Sequence, residues 1–305
     1  MTFDELRLIA GQSDRVRAML YPLLFLRRRW HMYRESPQRQ LLDNCCRFFE
    51  DDPVFNLDEF AGRFALGPQS DLFRRILVFG EYEPKLAKAC VAHLSPDRDA
   101  IDIGANVGFY SVLMARQLRQ RRVLSIEPTE AAAARLIGNI KLNGLQDRII
   151  VFQGVASDKS GGAMLNVVPG KEEYSSLGTM AHPSIRGVAA HRIEVKARTV
   201  DELVLEHKLD PGFVKIDVEG MEFTVLRGML KVLAEWQPII LAEASDPLLQ
   251  ANGTSVAEII EFVKTFGYRV VDPLFQNVKP GTRKFGDILC IPNVRAANAS
   301  KAKRV

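Results

Sequence analysis

The amino-acid sequence predicts an α/β chain: a doubly wound, mainly parallel sheet of seven strands, preceded by a mostly helical extension. Three observations predict it. Residues 100–111 read as the end of a buried strand, a glycine turn and the first turn of a helix. Short apolar runs then alternate with helical stretches as far as residue 291. Four of those runs end in, or lead directly into, an acid.

A length of 305 residues gives room for one large domain plus an extension. The hydrophobic fraction of 47% and charged fraction of 26% are those of an ordinary globular chain. A formal net charge of +4 permits an acidic partner and does not demand nucleic acid. Cysteines stand at 45, 46, 90 and 290, without a C-x-x-C or a Cys/His ligand spacing, so neither a disulfide framework nor zinc is expected. This usage fits a reducing compartment, and a cytoplasmic location is the expectation. The amino terminus opens with Asp4 and Glu5 instead of a signal-peptide layout, and no apolar run approaches a membrane span.

Three regions are expected: a helical extension with a hairpin over 1–75, the α/β domain over 76–293, and a disordered basic tail over 294–305. Residues 15–34 interleave Met19, Leu20, Leu23, Leu24, Phe25, Leu26 and Trp30 with Arg27, Arg28, Arg29 and Arg34. Two readings stand for this stretch. It packs on the main domain, alone or with a second subunit in a homo-oligomer, or it lies on an anionic membrane surface as a peripheral contact. Packing is favoured, because Leu23 to Leu26 form a continuous cluster and not a clean stripe.

Alternating apolar runs over 54–66 predict a hairpin, and Ser70 or Asp71 caps a short helix. Pro84 suits the first turn of the next helix. Strands are expected to end at Asp102, Ile126 and Gln153, with helices over 108–118 and from the N-cap Thr129 to Leu142 between them. Asn143 and Gly144 stop the second helix. The rhythm then changes: strands over 163–168 and 191–197 enclose a polar loop at 170–187, and Thr199 caps a helix to His207. Strands over 213–217 and 238–243, helices over 221–234 and 255–266, and strands over 268–271 and 287–291 complete the sheet.

In open α/β sheets the ligand sits outside the carboxyl ends of the strands. Asp102, Gly104, Ala105, Asn106 and Gly108 form a D-x-G-x-N-x-G turn at such an end, where glycine lets the backbone approach a ligand. Glu127 ends the next strand about 20 residues on, where an acid takes ribose hydroxyls. Beyond the third strand, the backbone at Ala156 and the side chain of Asp158 face the place of an adenine; a capped turn before Gly161 is the alternative. Asp217, Glu219 and Glu243 complete the acidic edge. Each acid also has a purely structural reading, as a turn or helix-start acceptor, and their convergence is what favours a site.

These motifs carry a resemblance. The segments Asp102–Gly108, Ile126–Pro128, Asn139–Gly144, Ser175–Leu177 and Lys215–Glu222, followed by Val225-Leu226-Arg227-Gly228, resemble the FkbM family of S-adenosylmethionine (SAM)-dependent methyltransferases. The resemblance covers residues 80–273 and is silent on the first 70. It implies a Rossmann-like class I methyltransferase fold, SAM as cofactor, and O-methylation of a hydroxyl on a sugar, polysaccharide or natural product. It further implies that Asp102, Gly104, Asn106 and Gly108 hold the methionine and ribose end of SAM, that Glu127 holds the ribose, and that the motif at 215–222 lines the reacting edge.

Methyl transfer to oxygen needs the hydroxyl in line with the methyl group, water kept out, and a base for the proton. Asp217 is the first candidate, then Glu219 and Glu243. His182 and His191 lie in the inserted region, and 170–187 is read as a substrate lid. Clustered carboxylates can hold Mg²⁺, but no spacing forces a metal and none is expected. The rival readings are a nucleic-acid methyltransferase and a non-catalytic SAM-binding or membrane-associated subunit. Asp217-Val218-Glu219-Gly220 stands where the first would carry Asn/Asp-Pro-Pro-aromatic, and a dense basic, aromatic face is absent, so no nucleic-acid partner is expected. Acids at both edges argue against the second.

Overall fold

The computed structural model describes residues 49, 51–185, 187–275, 278, 280 and 286–293. The helical, basic reading of residues 1–48, the adjacent Cys45 and Cys46, and the tail from 294 lie outside the described residues. Among the described residues no helix is long and apolar enough to cross a membrane.

The described chain opens with an antiparallel hairpin, β1 (Val54–Leu57) and β2 (Gly62–Ala65). Helix α1 (Asp71–Phe79) follows, with the Ser70 hydroxyl accepting from the Phe73 amide at 3.1 Å, and then α2 (Pro84–His93). Strand–helix alternation begins with β3 (Asp99–Ile103), α3 (Phe109–Gln117), β4 (Val123–Glu127), α4 (Glu130–Leu142) and β5 (Ile149–Gln153). An insertion of β6 (Val155–Ala156), β7 (Gly161–Val167) and β8 (His191–Arg198) comes next. The chain returns through α5 (Val200–Glu206), β9 (Pro211–Ile216), α6 (Glu222–Arg227), β10 (Ile239–Glu243), α7 (Asp246–Ala251), α8 (Val256–Thr265), β11 (Tyr268–Val271) and β12 (Asp287–Pro292).

Seven strands form the main sheet in the order β11-β12-β10-β9-β3-β4-β5. Neighbours from β10 through β5 are parallel, and β12 runs antiparallel to both β10 and β11. The insertion makes its own sheet, β6-β8-β7, in which β7 and β8 pair antiparallel from Gly161↔Ala197 to Val167↔His191.

Apolar layers cover both faces. One holds Ile76, Leu86, Val112, Met114 and Leu136 together with Phe55, Phe60 and Phe64 of the hairpin. Phe60 stacks on Phe109 at 4.9 Å between ring centroids, and Phe64 meets the same ring edge-on at 4.8 Å. Each such buried ring contributes about 1.5–3 kcal/mol. Residues 54–66, assigned to the extension by sequence, thus pack into the same core as the sheet. The other layer joins Ile101, Ile216 and Ile240 to Val204, Leu226, Ile259 and Val263.

Two elements differ from expectation. The helix expected over 221–234 stops at Arg227, and one π-helical turn, Val232–Trp236, follows. A Cβ on Gly228 would overlap the Ser157 carbonyl, so the chain must be bare there and the helix breaks. Asp201 then caps the restart, its carboxylate accepting from the Lys231 and Val232 amides at 2.9 Å each. Helix α7 went unread because only six residues, Asp246–Ala251, carry no helical period.

Candidate active site

The carboxyl ends of β3, β4, β9 and β10 converge on one edge of the sheet, and every acid of the expected site except Asp158 stands there. The glycine turn follows β3 with Gly104 at φ +80°, Asn106 at φ +48° and Gly108 at φ +93°. Its glycines are required by neighbouring chain as much as by any ligand. A Cβ on Gly104 would overlap the Asp217 carbonyl oxygen, and one on Gly108 would lie 2.6 Å from Leu136 Cδ1.

Asp102 is buried, at 1% exposure. Its Oδ2 accepts from the Ser111 hydroxyl at 2.6 Å, and Ser125 donates to that hydroxyl at 2.7 Å. Its Oδ1 is buried without a partner. Burial raises its pKa against the pull of Lys215 and the Ser111 bond.

Glu127 fastens the turn. Its Oε2 accepts from the Asn106 amide at 3.0 Å, and its Oε1 accepts from the Thr129 amide at 3.0 Å and hydroxyl at 2.7 Å. Burial pushes its pKa up to about 7, against those bonds. Oε1 is saturated by its two bonds, and Oε2 retains a lone pair for one more donor. Asn139, which sequence reasoning gave no role, closes the turn from the other side. Its amide nitrogen donates to the Val107 carbonyl at 2.8 Å and its oxygen accepts from the Ala65 amide at 2.8 Å, joining hairpin to turn. An Asn in the core of an apolar helix face was the available signal, since a buried amide needs partners.

Ala156 does not continue β5. The chain turns at Gly154, and Ala156 lies buried in β6, paired with Arg198 of β8. Asp158 forms an ion pair with Arg227 at 3.0 Å and accepts from Ser157 Oγ at 3.4 Å.

At the reacting edge, carboxylate oxygens of Asp217, Glu219 and Glu243 all lie within 4.8 Å of one another. Glu219 (φ +54°) and Gly220 (φ +93°) form a left-handed turn, and Glu222 holds it by accepting from the Val218 and Gly220 amides at 3.1 and 3.2 Å. Burial pushes Glu222 up to about 7, partly offset by those amides. Glu219 and Glu243 stand well above the ordinary carboxyl value, first through burial and then through Asp217 and other acids.

Lys215 also went without a role in the sequence reading. Residues two apart on a strand share a face, and so Lys215 Nζ reaches Asp217 Oδ2 at 2.8 Å. Register places Asp102 beside Lys215, and Nζ lies 4.5 Å from the centre of the Tyr110 ring. Burial alone would lower the lysine pKa; the carboxylates of Asp217, Asp102 and Glu83 outweigh it and raise it. Glu83 is tied in by the Tyr110 hydroxyl, which donates to its Oε2 at 3.2 Å.

The polar segment at 170–187 is fastened to this edge. Ser176 Oγ donates to the Glu219 carbonyl at 3.2 Å, and the Thr179 amide to Asn252 Oδ1 at 2.6 Å. Its other end grips α1: the Tyr174 hydroxyl donates to Asp71 at 3.0 Å, and Lys171 pairs with the same carboxylate at 3.2 Å. His182 stacks on Tyr174 at 4.4 Å between ring centres, while His191 is exposed on β8.

A parallel sheet with a reversed strand beside β10, a glycine turn after β3 and acids at the strand ends define a class I methyltransferase fold. The family model described as the methyltransferase FkbM domain matches residues 102–270, and the chain belongs to this family and is a methyltransferase. The methyltransferase sdnD of Sordaria araneosa is 24% identical over 199 residues, covering 54% of this chain and 77% of its own. The solved FkbM methyltransferase of Methylobacillus flagellatus KT is similar over 65% of this chain at 16% identity and a TM-score of 0.45, and only 44% of that chain is covered. An O-methyltransferase of Bacillus cereus, solved with SAH, is similar over 68% of this chain and 85% of its own, at 17% identity and a TM-score of 0.39.

Proposed function

We propose that the chain transfers the methyl group of SAM to a hydroxyl oxygen of a small-molecule or carbohydrate acceptor. The observation that carries this reading is the convergence of Asp217, Glu219 and Glu243 beside the glycine turn. The residues fit SAM: Asp102 keeps a buried oxygen without a partner, and Glu127 has acceptor capacity left on Oε2. Asp102, Gly104, Ala105, Asn106, Gly108 and Glu127 would hold the methionine and ribose end. Ala156 and Asp158 would border the adenine.

When bound, SAM supplies a methyl group already activated by its sulfonium. The protein's own residues then position an oxygen and accept a proton. Asp217 is the base of this reading, since Lys215 fixes one of its oxygens and the side chain remains 40% exposed to an incoming hydroxyl. Glu219 and Glu243 stand beside Asp217 and would line the place of the acceptor. Tyr174 and Ser176 tie the polar segment to α1 and to Glu219, which places it to close over a bound acceptor.

Calorimetry with SAM and with NAD⁺, followed by radiolabelled methyl transfer to a panel of hydroxylated acceptors, tests the reading. SAM should bind and raise the melting temperature; binding of NAD⁺ alone would reject it. Glu127→Ala should weaken SAM binding by about 1–3 kcal/mol, because it leaves buried donors at Asn106 and Thr129 unpaired and loosens the turn. It should also lower the melting temperature, since Glu127 joins two elements. An unchanged SAM dissociation constant would remove Glu127 from the site.

A further inference from the structure

We propose that Asp217, Glu219 and Glu243 form a binding site for one hard divalent cation of the Mg²⁺ or Mn²⁺ class. The three side chains come from the ends of adjacent strands, β9 and β10, and each offers a carboxylate oxygen within 4.8 Å of the others. A second observation points to a ligand. The Oε2 atoms of Glu219 and Glu243 are themselves out of contact with solvent and have no hydrogen-bond partner, while the two side chains as a whole are half-buried at the strand edge. Buried carboxyl oxygens in proteins are ordinarily paired with donors or bound to metals.

The surrounding charge gives the same sign. The strongest charges acting on Glu219 are Asp217, Glu222 and Glu173; those on Glu243 are Asp217, Glu219, Glu222 and Asp287. Glu222 spends one oxygen on the Val218 and Gly220 amides. The nearby cation, Lys215, is bonded to Asp217 Oδ2 and lies beside Asp102, so it does not satisfy the glutamate oxygens. Either protons or a cation must relieve this repulsion.

An all-oxygen set of three carboxylates selects a hard cation over zinc or copper, which prefer nitrogen and sulfur. Three protein ligands leave positions of an octahedron open to water or to an acceptor oxygen. The inference thereby deepens the proposed function: the cation would orient the acceptor hydroxyl, and that part rests on the O-methylation reading. The cation site itself does not.

The test is titration of MnCl₂ into the full-length protein without SAM or acceptor, with free Mn²⁺ read by electron paramagnetic resonance. One saturable site is expected, as for three carboxylates around one hard cation. Glu219→Gln and Glu243→Gln should each weaken binding by roughly ten-fold or more, while Glu261→Gln, exposed on α8, should leave it unchanged. MnCl₂ should also raise the melting temperature of the unaltered protein. No saturable binding to that protein at millimolar Mn²⁺ overturns the proposal whatever the variants do, as does equal binding by folded Glu219→Gln and Glu243→Gln. Methyl transfer measured in EDTA is scored separately: transfer without Mn²⁺ binding refutes the cation and retains the O-methylation reading, and Mn²⁺ binding without transfer to any hydroxyl does the reverse.

Discussion

Asp217→Asn is expected to lower turnover by roughly 10²–10⁴-fold with SAM affinity unchanged, the range by which a positioned base accelerates proton transfer. The substitution is conservative in shape. An asparagine oxygen can still accept from Lys215 Nζ, now 2.8 Å from Asp217 Oδ2, and the Asp217 amide keeps its bond to the Ile103 carbonyl at 3.0 Å. Removing the charge leaves the buried Lys215 with Asp102 and Glu83 as neighbouring carboxylates, so the lysine is not abandoned. What the variant lacks is a carboxylate to take the hydroxyl proton. Circular dichroism should therefore show an intact fold, and calorimetry an intact cofactor site. Full turnover in this variant would make Asp217 a structural partner of Lys215 and shift the search for a base to Glu219 and Glu243.

The parts of the molecule legible in the sequence are those fixed by local chemistry. Thr129 and Thr199 were read as caps because a hydroxyl before an apolar period satisfies free amides, and each does accept from the amide three residues on. The hairpin over 54–66 and the alternation of 191–197 follow from a period of two. What escaped is set by chain that is distant in sequence. The break at Gly228 depends on the Ser157 carbonyl, and the need for glycine at 104 on the Asp217 carbonyl. The Lys215–Asp102 neighbourhood exists only once β3 and β9 pair in their observed register. Glu127 was read as a ligand-facing acid; its two oxygens also hold the glycine turn and the start of α4, a role no spacing announces.

Gly104→Ala is expected to destabilise the protein by about 2–5 kcal/mol, the sum of a left-handed backbone penalty of about 1–2 and an overpacking penalty of about 1–3. The position combines both faults. Its φ is +80°, and an added Cβ would overlap the carbonyl oxygen of Asp217. That oxygen belongs to backbone, so no side-chain rotation relieves the clash. Its own peptide is pinned as well: the Gly104 amide donates to the Ile126 carbonyl at 3.0 Å, and the Asp217 amide to the Ile103 carbonyl at 3.0 Å. The ends of β3 and β9 must therefore separate, which moves the cofactor turn and Asp217 together. Gly144→Ala supplies the comparison. Its φ is +67°, yet nothing lies within 4 Å of its added Cβ, so it should show the backbone penalty alone. Thermal unfolding followed by circular dichroism reads the difference. SAM calorimetry should show binding weakened in Gly104→Ala and preserved in Gly144→Ala. Equal melting temperatures for the two variants would mean that β3 and β9 approach less closely at this point, and that the glycine is there for the turn alone.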